Sequence, residues 1–191
     1  MPPPLIVHIS RYVQLTEQAA GDILSYFEPV QVPRKQNLLE EGRICRNHFF
    51  VSRGCLRMFF VNEKGVEQTT QFAIENWWLS DYSSFSTQKP SEFYIQSVER
   101  SELMALSHAA QNEMLAKFPE MERYFHMIHQ RAHAAAQFRI RALYSQSKEA
   151  MYQQFCEKHP EFVQRVPQYL LASFLGFTPE YLSELRRRRV S

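Results

Sequence analysis

The sequence is short of the features that would define it quickly. Its 191 residues include five glycines and three cysteines. Cys45, Cys55 and Cys156 are far apart and form no CxxC pair. That spacing excludes a structural zinc knuckle and an obvious iron–sulfur cluster, and it points to a reduced, cytoplasmic protein. No long uncharged apolar run is present, so no transmembrane helix is expected and no membrane partner is invoked. The opening Met1-Pro-Pro-Pro-Leu-Ile-Val-His8 lacks the basic-then-apolar layout of a signal peptide. A P-loop, a nucleophile elbow and a dinucleotide fingerprint are all missing, so no catalytic residue is nominated and no enzyme is expected.

What is present is apolar and unevenly charged. With 45% hydrophobic and 14% aromatic residues, the chain can bury substantial cores in one large or two small domains. The net charge of +2 conceals an asymmetry. Residues 1–137 carry 13 Lys and Arg against 15 Asp and Glu, whereas residues 138–191 carry 9 against 5. The basic surplus lies at the C-terminal end, where a polyanionic partner would be met.

Three parts are expected. After a proline-rich tail, Leu15 to Phe27 forms a short helix capped by Thr16. From Glu28 to about Leu106 come short apolar or alternating runs: Pro29–Val32, His48–Arg53, Cys55–Val61, Glu67–Ala73 and Phe93–Val98. These are dense in aromatic and β-branched residues, with Gly42, Gly54 and Gly65 between them, as in a sandwich or barrel. From Ser107 the pattern is helical, and glycine does not return until Gly176. A helix near His108–Lys117 precedes Pro119, which suits the first position of a long helix to about Ser145. Further helices are expected near Ser147–Lys158 and Gln168–Gly176. The fold class is therefore α+β, with divisions at 1–118, 119–145 and 146–191.

In the long helix, Met121, Phe125, Ile128, Ala132 and Ala135 are spaced by 4, 3, 4 and 3 residues, the spacing of a short coiled-coil seam. A helix packed on its own β domain needs a similar stripe, but the span favours a partner helix and so a homodimer. His126, His129 and His133 share a helix face, yet no cysteine or carboxylate cluster accompanies them and no metal is expected.

The C-terminal segment has the clearest local pattern. Leu171, Ala172 and Leu175 share one face, Gly176 supplies a turn, and Thr178, Pro179 and Glu180 open a second helix. Leu182 and Leu185 anchor that helix, which runs into Arg186 to Arg189. Small residue, turn and inward anchor follow the spacing of a helix-turn-helix. An α-hairpin of a helical bundle, with a solvated arginine tail, has the same local pattern. Thr178, Glu180, Tyr181, Ser183, Glu184, Arg187 and Arg188 are the candidate DNA-contacting residues. The arginines suit phosphates, while Glu184 can accept only from base amino groups.

Taken in order, these parts resemble the family of the cAMP receptor protein and the fumarate–nitrate regulator. The resemblance rests on Leu38-Leu-Glu-Glu-Gly42, His48-Phe-Phe-Val-Ser-Arg-Gly-Cys-Leu-Arg57, Asn62-Glu-Lys-Gly-Val-Glu-Gln68, Trp77-Trp-Leu-Ser-Asp-Tyr82 and Phe93-Tyr-Ile-Gln-Ser-Val-Glu99. The helix start Thr178-Pro-Glu-Tyr-Leu-Ser183 resembles the divergent members common in Bacteroidetes-type bacteria. The resemblance implies a jelly-roll (β-roll) effector domain of the cyclic-nucleotide-binding kind, a dimerisation helix and transcriptional regulation. The partners it implies are double-stranded DNA, a second copy and RNA polymerase.

The chain also departs from that pattern. Cyclic-nucleotide-binding members use a Glu for the ribose hydroxyl and an Arg for the cyclic phosphate. Alignment puts Ser80-Asp81 and Ser91-Glu92-Phe93 at those places, without the phosphate-neutralising charge. No cAMP or cGMP is expected as cofactor. Phe72, Trp78, Asp81, Ser91 and Phe93 remain the candidate contacts for another small-molecule effector, although these aromatics, with Trp77 and Phe85, serve better as core. Little room remains between Cys156 and Gln168 for the β-hairpin wing of many relatives. Two alternatives stay open. A jelly-roll enzyme of the cupin type would need several inward histidines, where the β segment offers His48 alone. A protein-interaction module that has lost DNA binding would suit Glu184.

Overall fold

The computed structural model describes residues 2–190, with the side chains of Arg189 and Val190 outside the described set. In chain order the elements are α1 (Pro4–Ile9), α2 (Glu17–Leu24), β1 (Glu28–Val32), β2 (Asn37–Leu39), β3 (Asn47–Arg53), β4 (Leu56–Val61), β5 (Glu67–Ala73), β6 (Trp78–Leu79), α3 (Tyr82–Thr87), β7 (Tyr94–Ser97) and β8 (Ser101–Ser107). Then follow α4 (His108–Lys117), α5 (Glu120–Ser145), α6 (Lys148–Lys158), α7 (Pro160–Arg165), α8 (Gln168–Leu175) and α9 (Pro179–Val190). Two compact units result: residues 1–60 with 71–130, and residues 61–70 with 131–191. The division thus falls inside α5, between residues 130 and 131.

The first unit is a β-roll. One sheet has the order β1-β8-β3-β6 and the other β2-β7-β4-β5. Their pairings include Val30 opposite Leu103, Val51 opposite Leu103 and Met58 opposite Ile95, all antiparallel. Strand β3 shows why Phe49, Phe50 and Val51 run apolar without alternation. Phe49 and Val51 face the interior of the roll with Leu56, Ile95 and Leu103. Phe50 points the other way, into a second core with Leu5, Ile9, Ile23, Trp78, Met114 and Tyr124, contributed by β6 and the helices α1, α2, α4 and α5. A strand covered on both faces has no polar side to alternate with. At the β3–β4 corner Gly54 sits at φ +110°, and a Cβ there would meet Ser101 at 2.2–2.7 Å. No side chain fits that corner.

Several helix ends are set locally. Thr16, Ser107 and Ser147 accept from the amides of Ala19, Ala110 and Ala150, capping α2, α4 and α6. Helix α5 begins at Glu120, one residue beyond Pro119. The proline-rich start is not a loose tail. Pro4 occupies the first turn of α1, where its missing N–H costs nothing, and Leu5, Ile6, His8 and Ile9 are buried. Met1 and Ser191 lie outside the described residues.

The second unit is helical. Tyr152, Cys156, Leu171, Ala172, Leu175, Phe177, Leu182 and Leu185 form its core, drawn from α6, α8 and α9 with the α8–α9 turn. The β4–β5 hairpin tip belongs to this unit. Thr69 N–H donates to Ser173 Oγ at 2.8 Å, and that hydroxyl donates to the Glu67 carbonyl at 2.9 Å. From α5, the Arg139 guanidinium donates to the carbonyls of Thr70 and Phe174 and lies 4.0 Å over the Phe174 ring. All three cysteines are buried and unbridged, and burial pushes the Cys45 thiol up to about 11, which leaves it unreactive. Among the described residues no helix is long and apolar enough to cross a membrane.

Candidate nucleic-acid interface and effector cassette

The α8–α9 pair is built by short-range chemistry. Gly176 closes α8 at φ +74°, the left-handed turn that suits glycine, and Phe177 N–H returns to the Ala172 carbonyl at 2.8 Å. Thr178 Oγ1 accepts from Tyr181 N–H at 3.2 Å and caps α9. Leu182 and Leu185 are buried, which fixes the rotation of α9.

That rotation distributes the candidate contacts unevenly. Thr178, Glu180, Ser183, Arg187 and Arg188 are exposed, as is Arg186. The side chain of Arg189, expected as a phosphate contact, lies outside the described residues. Tyr181 and Glu184, expected to face outward, are only partly exposed and are engaged within the chain. The Tyr181 hydroxyl donates to Glu149 on α6, and Glu184 pairs with Arg188 one turn on. The bond from Tyr181 holds Glu149 below the usual carboxylate range and raises the Tyr181 phenol. The first residues of α9 therefore present Glu180 and Ser183 freely, while Tyr181 would have to leave a carboxylate to reach a base.

The residues expected to face an effector lie around α3. Asp81 is buried, and one carboxylate oxygen accepts from Ser83 N–H at 3.1 Å and Ser84 N–H at 3.3 Å, capping α3. Its other oxygen accepts from Ser91 Oγ at 2.6 Å, and Ser91 Oγ accepts from Phe93 N–H at 3.0 Å. The structure thus brings Asp81 and Ser91 together and joins them to each other. Ser84 extends the closure, donating to the Lys89 carbonyl and accepting from Cys45 N–H at 2.9 Å. A phosphate arriving here would meet a carboxylate already satisfied and a serine with no charge to offer. Of the aromatics, Phe72, Trp78 and Phe85 are buried, Phe93 is half-buried and Trp77 is exposed.

The long helix needs a correction. Met121 and Phe125, expected at a seam with a second helix, are 0% and 4% exposed and pack against the first unit's own core. Ile128 is half-buried against that core, and Ala132 and Ala135 are exposed. A partner can reach only the later positions. There the helix also exposes Phe138, Ile140, Leu143 and Tyr144.

Some notable side chains gave no signal in the sequence. Tyr124, beside the stripe residues in α5, is fully buried; its oxygen accepts from Trp78 Nε1 at 2.8 Å and lies 2.8 Å from His8 Nδ1. His129 turns inward to His48, while His126 and His133 are exposed, so the expected histidine face is split. Among the described residues no group of three His, Cys, Asp or Glu side chains is placed to hold a metal ion. Only their distance in sequence hid these contacts.

Residues 29–118 match the cyclic nucleotide-binding domain family. No curated protein matches the chain in sequence. Solved structures with the same fold include FixK2 from Bradyrhizobium japonicum, at 9% identity and TM-score 0.74, covering 85% of this chain and 83% of that one. CLP of Xanthomonas campestris, described as a c-di-GMP responsive global regulator, aligns over 91% of each chain at 13% identity and TM-score 0.72. A CooA mutant from Carboxydothermus hydrogenoformans aligns over 96% of this chain and 83% of its own, at 14% identity and TM-score 0.70. Residues 29–118 are thus similar to the cyclic nucleotide-binding domain and are followed by a long helix, in the fold these proteins share.

Proposed function

We propose that this protein is a homodimeric, DNA-binding regulator of transcription whose β-roll does not take a cyclic nucleotide. The observation that carries the reading is the α8–Gly176–α9 unit, with α9 anchored by Leu182 and Leu185 and presenting Ser183, Arg186 and Arg187 to solvent. That is the layout of a helix offered to a groove with cations beside it for phosphates. The exposed residues Phe138, Ile140, Leu143 and Tyr144, with Ala132 and Ala135 before them, support a second copy as partner. The Asp81–Ser91 closure supports the absence of cyclic-nucleotide binding.

Selection from random duplex DNA by the purified protein, without added ligand, tests this. The expected result is a two-fold motif with half-sites about one helical turn apart. The Arg187→Ala and Arg188→Ala variants then lower affinity for all sequences alike, each reducing the salt slope by about 1. Calorimetry with cAMP and cGMP is expected to give no heat of binding.

A second reading is favoured by one observation. Tyr181 and Glu184, near the start of α9, are occupied by Glu149 and Arg188, as in a helix used for packing rather than for reading bases. Selection that enriches nothing, with binding that ignores salt, would favour an interaction module.

A further inference from the structure

Two histidines from distant parts of the chain meet in the first unit. The rings of His48 on β3 and His129 on α5 are 6.0 Å apart and 14° from parallel. Trp78 packs 4.4 Å from His48, with Phe85 at 5.6 Å and Phe125 at 5.9 Å, and Tyr82 lies 4.2 Å from His129. His48 Nδ1 and His129 Nε2 are both buried without a hydrogen-bond partner. Groups that titrate or hydrogen-bond approach from three elements. Gln111 on α4 bonds to His48, Tyr82 on α3 faces His129, and His126 acts from the preceding turn of α5. No carboxylate of the described residues acts on either ring.

Such a pair tolerates two neutral imidazoles and resists a proton. Burial, then repulsion from His129, lowers His48 to about 3, and burial, then His126, lowers His129 as well. Once the turn of α5 around His129 lifts from the sheet, both rings reach water and recover an ordinary value of about 6.5. The lifted form then binds more protons than the closed form between pH 6.5 and the lowered values. Closure is therefore fully favourable above pH 6.5 and is lost as pH falls below it.

We propose that His48 and His129 form an acid-sensitive latch between β3 and α5, closed while both imidazoles are neutral and opened locally by protonation. The latch stands independently of any reading of α9. It does not need the metal that three clustered histidines would suggest, because only His129 of those three faces inward.

The test follows the imidazole nitrogens of the full-length protein by NMR from pH 8 to 4.5, together with amide hydrogen exchange. The expected result is a His129 midpoint below 6.5. Exchange at residues 126–130, corrected for its intrinsic pH dependence, should rise by about tenfold per pH unit for each proton taken up. Amides of β8 should stay protected over the same range. His129→Phe keeps a ring against Tyr82 and Phe125 but leaves His48 as the one proton acceptor of the pair, so its exchange at these residues rises at half the parent's logarithmic slope, about tenfold per pH unit. His133→Gln, changed at an exposed position, opens as the parent does. An ordinary His129 midpoint with unchanged exchange would overturn the latch. So would a pH slope in His129→Phe as steep as the parent's, or a rise spread equally over β8. Should His129→Phe not fold, His48→Phe carries the same expectation, and the parent titration decides without either.

Discussion

The two halves of α5 share one sequence pattern and live in different surroundings. Met121, Tyr124 and Phe125 are sealed into the β-roll's outer core, while Ala132, Ala135, Phe138 and Leu143 are exposed. A stripe spaced by 3 and 4 residues reports that a face will be covered. It does not report by what. The first half finds its cover in the strands and helices of its own unit. The second half leaves its apolar residues for something else, and a second copy is the proposed occupant.

That contrast can be challenged by substitution, with stability read from urea unfolding of the dilute protein. Met121→Ala removes a fully buried side chain from the core, and a loss of about 2–5 kcal/mol is expected. A loss near zero would mean that the first half is not sealed. Ala135→Gly acts at an exposed helical position, where backbone freedom alone costs about 1 kcal/mol. A much larger loss would show that a partner already covers Ala135 under those conditions. Phe138→Ser is expected to change stability by no more than about 0.5 kcal/mol, because the ring is exposed in the single chain. Sedimentation at higher concentration sharpens the contrast: the parent is expected to be dimeric and Phe138→Ser shifted toward monomer.

How much of this could be read in advance follows the range of the forces involved. Helix α4 was legible to the residue because Ser107 caps it through an amide three residues away. The Gly176 turn and the start of α9 at Pro179 were legible for the same reason. Strands β1, β3, β4, β5 and β7 could be found from their apolar runs. Strand β6, two residues long, and the short α7 have too little length to show a period. Helix α1 was hidden by its own prolines, which at the first turn support a helix instead of preventing one. Alignment placed Asp81 and Ser91 in the cassette, but not the 2.6 Å bond between them. The same limit hid His48 from His129, and Tyr124 from Trp78 and His8. Short side chains that cap helices leave a local mark, while those that join distant elements do not.

One consequence follows from β6. Trp77 and Trp78 are neighbours in the chain, yet Trp77, just before the strand, is half exposed to water, while Trp78 within it is in the core at 7% exposure. The buried indole donates to Tyr124 and packs on His48, at the meeting of strand, helix and latch. These are the chain's two tryptophans. The protein therefore carries a matched pair of natural fluorophores, one open to an aqueous quencher and one shielded from it. With Trp77 replaced by Phe, the remaining emission would come from the point where β6, α5 and His48 meet.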